Sequence, residues 1–112
     1  MQLETEEIAP GVTKARLIGR LDIAGARVID LPFSVLVGAR RALIVDLSAL
    51  EFIASMGLRT LIMGAHTVKS KCGRMVLFRP PAAVEAVLVS SGTDKVLPIL
   101  HDLDEAVRAV SG

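Results

Sequence analysis

Apolar residues in this chain fall into short blocks whose period changes from block to block, and the changes sketch an order of elements. Leu3 to Ile8 and Val12 to Ile18 are extended segments separated by Ala9-Pro10-Gly11, a turn signature, and together they predict a hairpin. Gly19-Arg20-Leu21-Asp22 follows, with a glycine that permits a sharp change of direction and an aspartate able to cap what comes next. Val28, Leu31 and Val35 give Ile23 to Val37 a helical spacing, although Gly25 weakens it and Pro32 removes an amide donor, so a bent helix is expected. Gly38-Ala39-Arg40-Arg41 then predicts the helix end, by a terminal glycine and two cations near the negative pole of the dipole.

The run Ala42-Leu43-Ile44-Val45 is short and rich in branched residues, as a strand buried on both faces requires. Asp46 to Ser55 reads as a connection, and Ser55 then stands at the N-cap position of a second helix. In that helix Leu58, Leu61, Ile62, Ala65 and Val68 share one face. Gly73 is expected to stop it, and Met75 to Phe78 to form another buried strand. Pro80 and Pro81 suit the first turn of a third helix with Val84, Val87 and Leu88 on one side, closed by Ser91-Gly92. Val96 to Leu100 reads as a last strand, placed at the sheet edge because Pro98 cannot donate to a ladder. Asp102 with Glu105 resembles a capping box for a terminal amphipathic helix bearing Leu103, Ala106, Val107 and Val110. A hairpin followed by alternating helix and strand predicts an α/β fold. Its sheet is mixed and mostly parallel, with the hairpin at one edge and about four helices, in a single domain over residues 1–112.

Composition narrows the function classes. Hydrophobic residues make up 52% but aromatics only 3%, with no Trp or Tyr, so the core is aliphatic and platforms for stacking single-stranded nucleic acid are scarce. Thirteen basic and 12 acidic residues leave a net charge of +1, too little for a strong counterion-release term, so direct nucleic-acid recognition is not expected. One cysteine rules out an internal disulfide, and the acidic start Glu4-Thr5-Glu6-Glu7 differs from a secretory signal. No apolar stretch approaches the ~20 residues of a membrane span. These features predict a cytoplasmic protein without membrane insertion.

Few residues offer chemistry. Ser55 is the first candidate, because helix N-termini carry unpaired amides and partial positive charge that favour a phosphoryl group on such a hydroxyl. An ordinary cap is the plainer reading of the same position. Met56 next to it suits a docking surface if it faces solvent, and the core if it does not. His66 and His101 lie on separate elements with no ligand-spaced neighbours, so no metal site is expected. His66 would stand about 16 Å along the helix from Ser55, too far to serve it as a base. No Gly-rich phosphate loop is present, and no cofactor is expected. Cys72 reads as a surface thiol, and the cations from Lys69 to Arg74 and at Arg40-Arg41 as solvated helix ends.

Four stretches together resemble the STAS domain of bacterial anti-sigma factor antagonists. Gly19-Arg20-Leu21-Asp22 is similar to the family's G-x-L-D turn, and Val45-Asp46-Leu47-Ser48 to its strand-ending D-L-S. Phe52-Ile53-Ala54-Ser55-Met56-Gly57-Leu58 resembles F-[MIL]-D-S-[ST]-G-[LIV], and the run from Gly73 to Pro80 has its counterpart. The resemblance spans essentially the whole chain and implies a four-helix, mixed-sheet fold. It also implies Ser55 as the serine phosphorylated by an anti-sigma factor that is also a kinase and reset by a serine phosphatase. The surrounding docking surface would include Asp22, Ala54, Met56, Gly57 and Arg59. Ala54 replaces the family's aspartate and Met56 its second hydroxyl residue. Because a kinase supplies its own base and metal ligands, an exposed hydroxyl is what the substrate chiefly needs. The reading is of a binding protein and not an enzyme. Its rivals are a STAS structural subunit of a membrane transport or signalling complex without a phosphorylation cycle, a nucleotide-binding STAS module, and a small enzyme using Ser55 or Cys72. Self-association stays open.

Overall fold

The hairpin forms, with β1 over Gln2–Ala9 and β2 over Val12–Leu21 paired antiparallel in the computed structural model, which describes residues 1–111. β2 is the strand on which the sheet is built. Its first half, Val12 to Arg16, carries β3 (Ala42–Asp46) in parallel, and its last residues, Gly19 to Leu21, carry β4 (Leu50–Ile53), also in parallel. β5 (Arg74–Phe78) follows β3, and β6 (Ile99–Leu100) closes the edge, giving the order β1-β2-β3-β5-β6 with β4 beside β2. The sheet is therefore mixed and mostly parallel, as the alternation of elements predicted.

Two strand expectations change. The connection from Asp46 to Ser55 contains β4, a strand of four residues whose buried, exposed, exposed, buried pattern has neither period. The last strand shrinks to two residues, because Thr93–Lys95 takes a 3₁₀ turn and Pro98 contributes only a carbonyl, accepting from Leu77 N–H at 2.9 Å. Its place at the edge agrees with the missing proline donor.

α1 (Ile23–Ala39), α2 (Ser55–Ser70) and α3 (Ala82–Ser90) lie on one face of the sheet, where their apolar residues join Leu17, Leu43, Val45, Met75 and Leu77 in the main core. α4 (Leu103–Ser111) covers the other face, with Ala106 and Val110 against Val12, Ile44, Val76 and Phe78. Alternate residues of β3 and β5 thus feed two cores, which is why both strands read as unbroken apolar runs.

The helical spacing in α1 is real, but the stripe that revealed it faces water. Val28, Leu31 and Val35 are 60, 73 and 62% exposed, while Ala26, Ile29, Phe33, Leu36 and Val37 are buried. The helix is apolar on opposite sides, and spacing alone cannot say which side meets the sheet. It runs through Pro32, whose ring is exposed, and through Gly38 to Ala39. Its last carbonyls are met from α2, with Lys71 Nζ donating to Val37 O at 2.6 Å and Arg40 O at 3.1 Å. α2 ends at Ser70, and the left-handed residue that closes it is Cys72, not Gly73: Cys72 has φ 62° and its N–H donates to Lys69 O, while Gly73 N–H donates to Val68 O, a Schellman pair. Gly73 is needed for proximity, since a Cβ there would lie 2.4 Å from Arg41 O. Pro81 is the cap residue of α3, one position before its first turn. Asp102 caps α4 as expected, its Oδ1 accepting from Asp104 N–H at 2.8 Å and Glu105 N–H at 3.2 Å.

Candidate functional site

The site grows from the carboxyl end of β2, where Leu21 is wholly buried and organises two helix starts. Asp22 beside it caps α1, accepting from Gly25 N–H at 2.8 Å. Leu21 O accepts from Ala54 N–H at 3.0 Å and, with the Leu21–Ile53 register, fixes Ala54 in an extended conformation. The first bond of α2 then runs from Leu58 N–H to Ala54 O at 3.0 Å. Gly57 lets the helix start lie on Leu21, because a Cβ there would be 2.5 Å from Leu21 Cγ and 2.8 Å from Leu21 O.

This geometry moves Ser55 by one position from the expected cap. Ala54 is the cap residue and Ser55 the first residue inside the helix. A methyl group cannot accept a hydrogen bond, and no acidic residue stands in the first turn, so the leading amides of α2 keep their donors free of side-chain capping. Ser55 is exposed. Farther along, Thr60 and Thr67 donate their hydroxyls to the carbonyls of Met56 and Met63. Ser55 opens the helix and has no helical carbonyl one turn behind it to take its proton.

The six residues singled out in the sequence gather at this end through Leu21 and the first turn of α2. Ser55, Met56 and Arg59 are exposed, Asp22 and Ala54 half-buried, and Gly57 buried, so Gly57 acts on the surface only by setting where its neighbours lie. Met56 and Arg59 edge a groove of about 440 Å³ between α1 and α2, with Asp30 and Ser34 on its far wall and Phe33 and Gly64 in its floor. Gly64 sets that floor, since a Cβ would sit 2.7 Å from Phe33 Cε2.

Two neighbours escaped the sequence reading. Arg20 lies over the Phe52 ring, 4.4 Å from guanidinium carbon to centroid, and its Nε is 3.7 Å from Asp22 Oδ2. Phe52 is 39% exposed. The signal that pairs them is the β2–β4 register, which sets Arg20 opposite Phe52, and β4 was not legible. His66 is exposed on α2, His101 pairs with Glu85 at 2.9 Å, and Cys72 is exposed at the far end of α2. Among the described residues no group of three or more His, Cys, Asp or Glu is placed to hold a metal ion, and no helix is long and apolar enough to cross a membrane.

Comparison with known proteins bears on this arrangement. The family model of the STAS domain matches residues 4–106. No curated protein sequence matches the chain. Among solved structures, an anti-sigma factor antagonist from Mycobacterium paratuberculosis is 27% identical, with a TM-score of 0.81 over 99% of this chain and 94% of that one. The anti-sigma factor antagonist SpoIIAA in its unphosphorylated form is 23% identical, with a TM-score of 0.77 over 95% of this chain and 93% of that one. The Bacillus cell-fate determinant SpoIIAA in its phosphorylated form is 22% identical, with a TM-score of 0.71 over 96% of this chain and 97% of that one.

Proposed function

The chain belongs to the STAS-domain family, and from that premise we propose that it is an anti-sigma factor antagonist switched by phosphorylation of Ser55. Unphosphorylated, it binds an anti-sigma factor that is also a serine kinase and so frees a sigma factor or another client in the cytoplasm. Phosphorylated, it lets go, and a serine phosphatase restores it. In this role it is a substrate and a binding partner, with no turnover of its own.

One observation carries the proposal: an exposed serine hydroxyl at the mouth of a helix whose leading amides no side chain caps. A phosphoryl group there meets free N–H donors and the positive end of the dipole, with the Arg59 cation one turn on. The modified chain is therefore stable. The same group adds about 1.5 to 2 negative charges to a surface edged by exposed Met56 and Phe52. A partner packed on those side chains would have to strip water from the phosphate, which opposes binding.

The testing experiment incubates the purified chain with ATP and an anti-sigma-type serine kinase from the same organism, then measures mass and partner binding. The expected result is one added phosphoryl group, mapped to Ser55, and loss of the complex. A second reading is favoured by Ala54 where the family has aspartate: a structural subunit with no phosphorylation cycle. It predicts copurification with an ATPase subunit and no phosphate on Ser55 in cells.

A further inference from the structure

The basic residues near the end of α2, read in the sequence as solvated charge, line a cavity of about 650 Å³ between α2, β5, the 3₁₀ turn and α4. Lys69 comes from the last turn of α2, Arg74 from the start of β5 and Lys95 from the 3₁₀ turn, with His66 on the same wall. No Asp or Glu lines it. None of the three cations enters an ion pair among the described residues; the one hydrogen bond of the Arg74 side chain among them goes to Ala109 O, at 3.3 Å. Beneath them the wall is aliphatic: Met75 and Leu97 are buried, Pro98 closes one side, and Val96 is left 48% exposed at the lip.

We propose that this cavity binds a small aliphatic anion, with a phosphate or carboxylate head among Lys69, Arg74 and Lys95 and an apolar tail along Met75, Val96, Leu97 and Pro98. The volume lies in the range of small-molecule sites. Three cations lining one cavity without a carboxylate draw an anion, and the Arg fork suits a planar or tetrahedral oxyanion. The exposed valine beside them gives a tail something to cover. A nucleotide fits less well, because no Phe lines the cavity and the chain has no Trp or Tyr on which a base would stack. The site lies about 21 Å from Ser55 along α2 at the standard helical rise, so it is separate from the phosphorylation site.

The test titrates the full chain with hexyl phosphate and follows backbone amide shifts by NMR. The expected result is shifts clustered at Lys69, Met75, Lys95 and Leu97, with a Kd on the order of 1 mM. Inorganic phosphate, which lacks the tail, and hexanol, which lacks the charge, should each bind roughly tenfold or more weakly. The Lys69→Gln/Lys95→Gln double variant changes only exposed side chains, should melt like the parent, and should also lose roughly tenfold or more. The proposal is overturned if hexyl phosphate leaves these amides unmoved, if the folded double variant binds it unchanged, or if inorganic phosphate binds equally well. Cosedimentation with phosphatidylglycerol vesicles that needs Lys69 and Lys95, in a chain blind to hexyl phosphate, would overturn it in favour of a membrane surface.

Discussion

Replacing Ser55 by aspartate should separate two effects that a conformational switch would tie together. In the free chain the new carboxylate stands in the first turn of a helix that has neither a capping side chain nor an acidic residue there. A charge in that position stabilises by about 0.3–1 kcal/mol at low ionic strength, and the i,i+4 pairing with Arg59 adds roughly 0.2–0.5 kcal/mol. For a chain of this size that is a rise in Tm of about 2–6 °C, shrinking as salt screens the dipole. Toward the partner the sign reverses. A carboxylate has less charge than a phosphate, yet burying it against Met56 and Phe52 still requires desolvation, and a loss of ~3 kcal/mol would weaken binding more than a hundredfold. Ser55→Ala alters an exposed position and should change stability by less than about 0.5 kcal/mol while binding constitutively. Urea denaturation of the three chains gives the first quantity and calorimetric titration with the partner gives the second. Equal affinities for the alanine and aspartate variants would refute the electrostatic block. An aspartate variant less stable than the parent by ~1 kcal/mol or more would refute the account of the helix start.

Other substitutions test separate parts of the reasoning. Ala54→Asp supplies the missing cap and should raise stability by about 1 kcal/mol in urea denaturation. Gly64→Ala drives a Cβ to 2.7 Å from the Phe33 ring and should cost about 1–3 kcal/mol by the same measurement, since Phe33 is buried and its ring has little room to retreat. Asp46 is 5% exposed, its Oδ1 accepts from Ser48 N–H at 2.9 Å and its Oδ2 lies 3.8 Å from Lys14 Nζ. Asp46→Ala should therefore cost about 1–3 kcal/mol, with Asp46→Asn recovering part of it in thermal melts. Leu31→Glu replaces a side chain that is 73% exposed and should shift stability by less than about 0.5 kcal/mol. A larger drop, with melting that depends on protein concentration, would mean that another copy covers this face.

The architecture was legible because local signals and global packing agree along most of the chain. The hairpin turn at Pro10-Gly11, the doubly buried runs at β3 and β5, the face of α2 and the Asp102 cap each have one dominant physical cause. The failures have identifiable causes too. β4 is short and pairs across a register shift between Gly19 and Arg20, so its burial pattern follows no period. Helix α1 is apolar on two sides, and the choice between them is made by the sheet beneath it. Cys72 takes the left-handed position that glycine usually fills, while the neighbouring glycine is fixed by the approach of Arg41. At the candidate site, residue types and spacing located Ser55, but only the extended backbone of Ala54 reveals that Ser55 lies inside the helix.

That backbone also limits how a switch here can work. Leu21 holds the start of α2 from two sides, its carbonyl taking the Ala54 amide and its side chain lying against Gly57, while the next residue, Asp22, caps α1. The position of Ser55 is thus set by the end of a central strand, whose place in the sheet is fixed by pairing with β1, β3 and β4. Moving this segment would break those contacts, so a charge added at Ser55 is expected to act on what docks on the outside. Action through docking sets a scale. A penalty of ~3 kcal/mol takes a partner from about nine-tenths bound to about one-twentieth at fixed concentration. It leaves a much tighter complex largely intact, because a partner held a thousandfold above its Kd stays mostly bound after losing two decades of affinity. A phosphorylation switch that acts only through docking at this site would therefore respond fully only when the free partner concentration stays within about tenfold of the Kd for the unmodified chain.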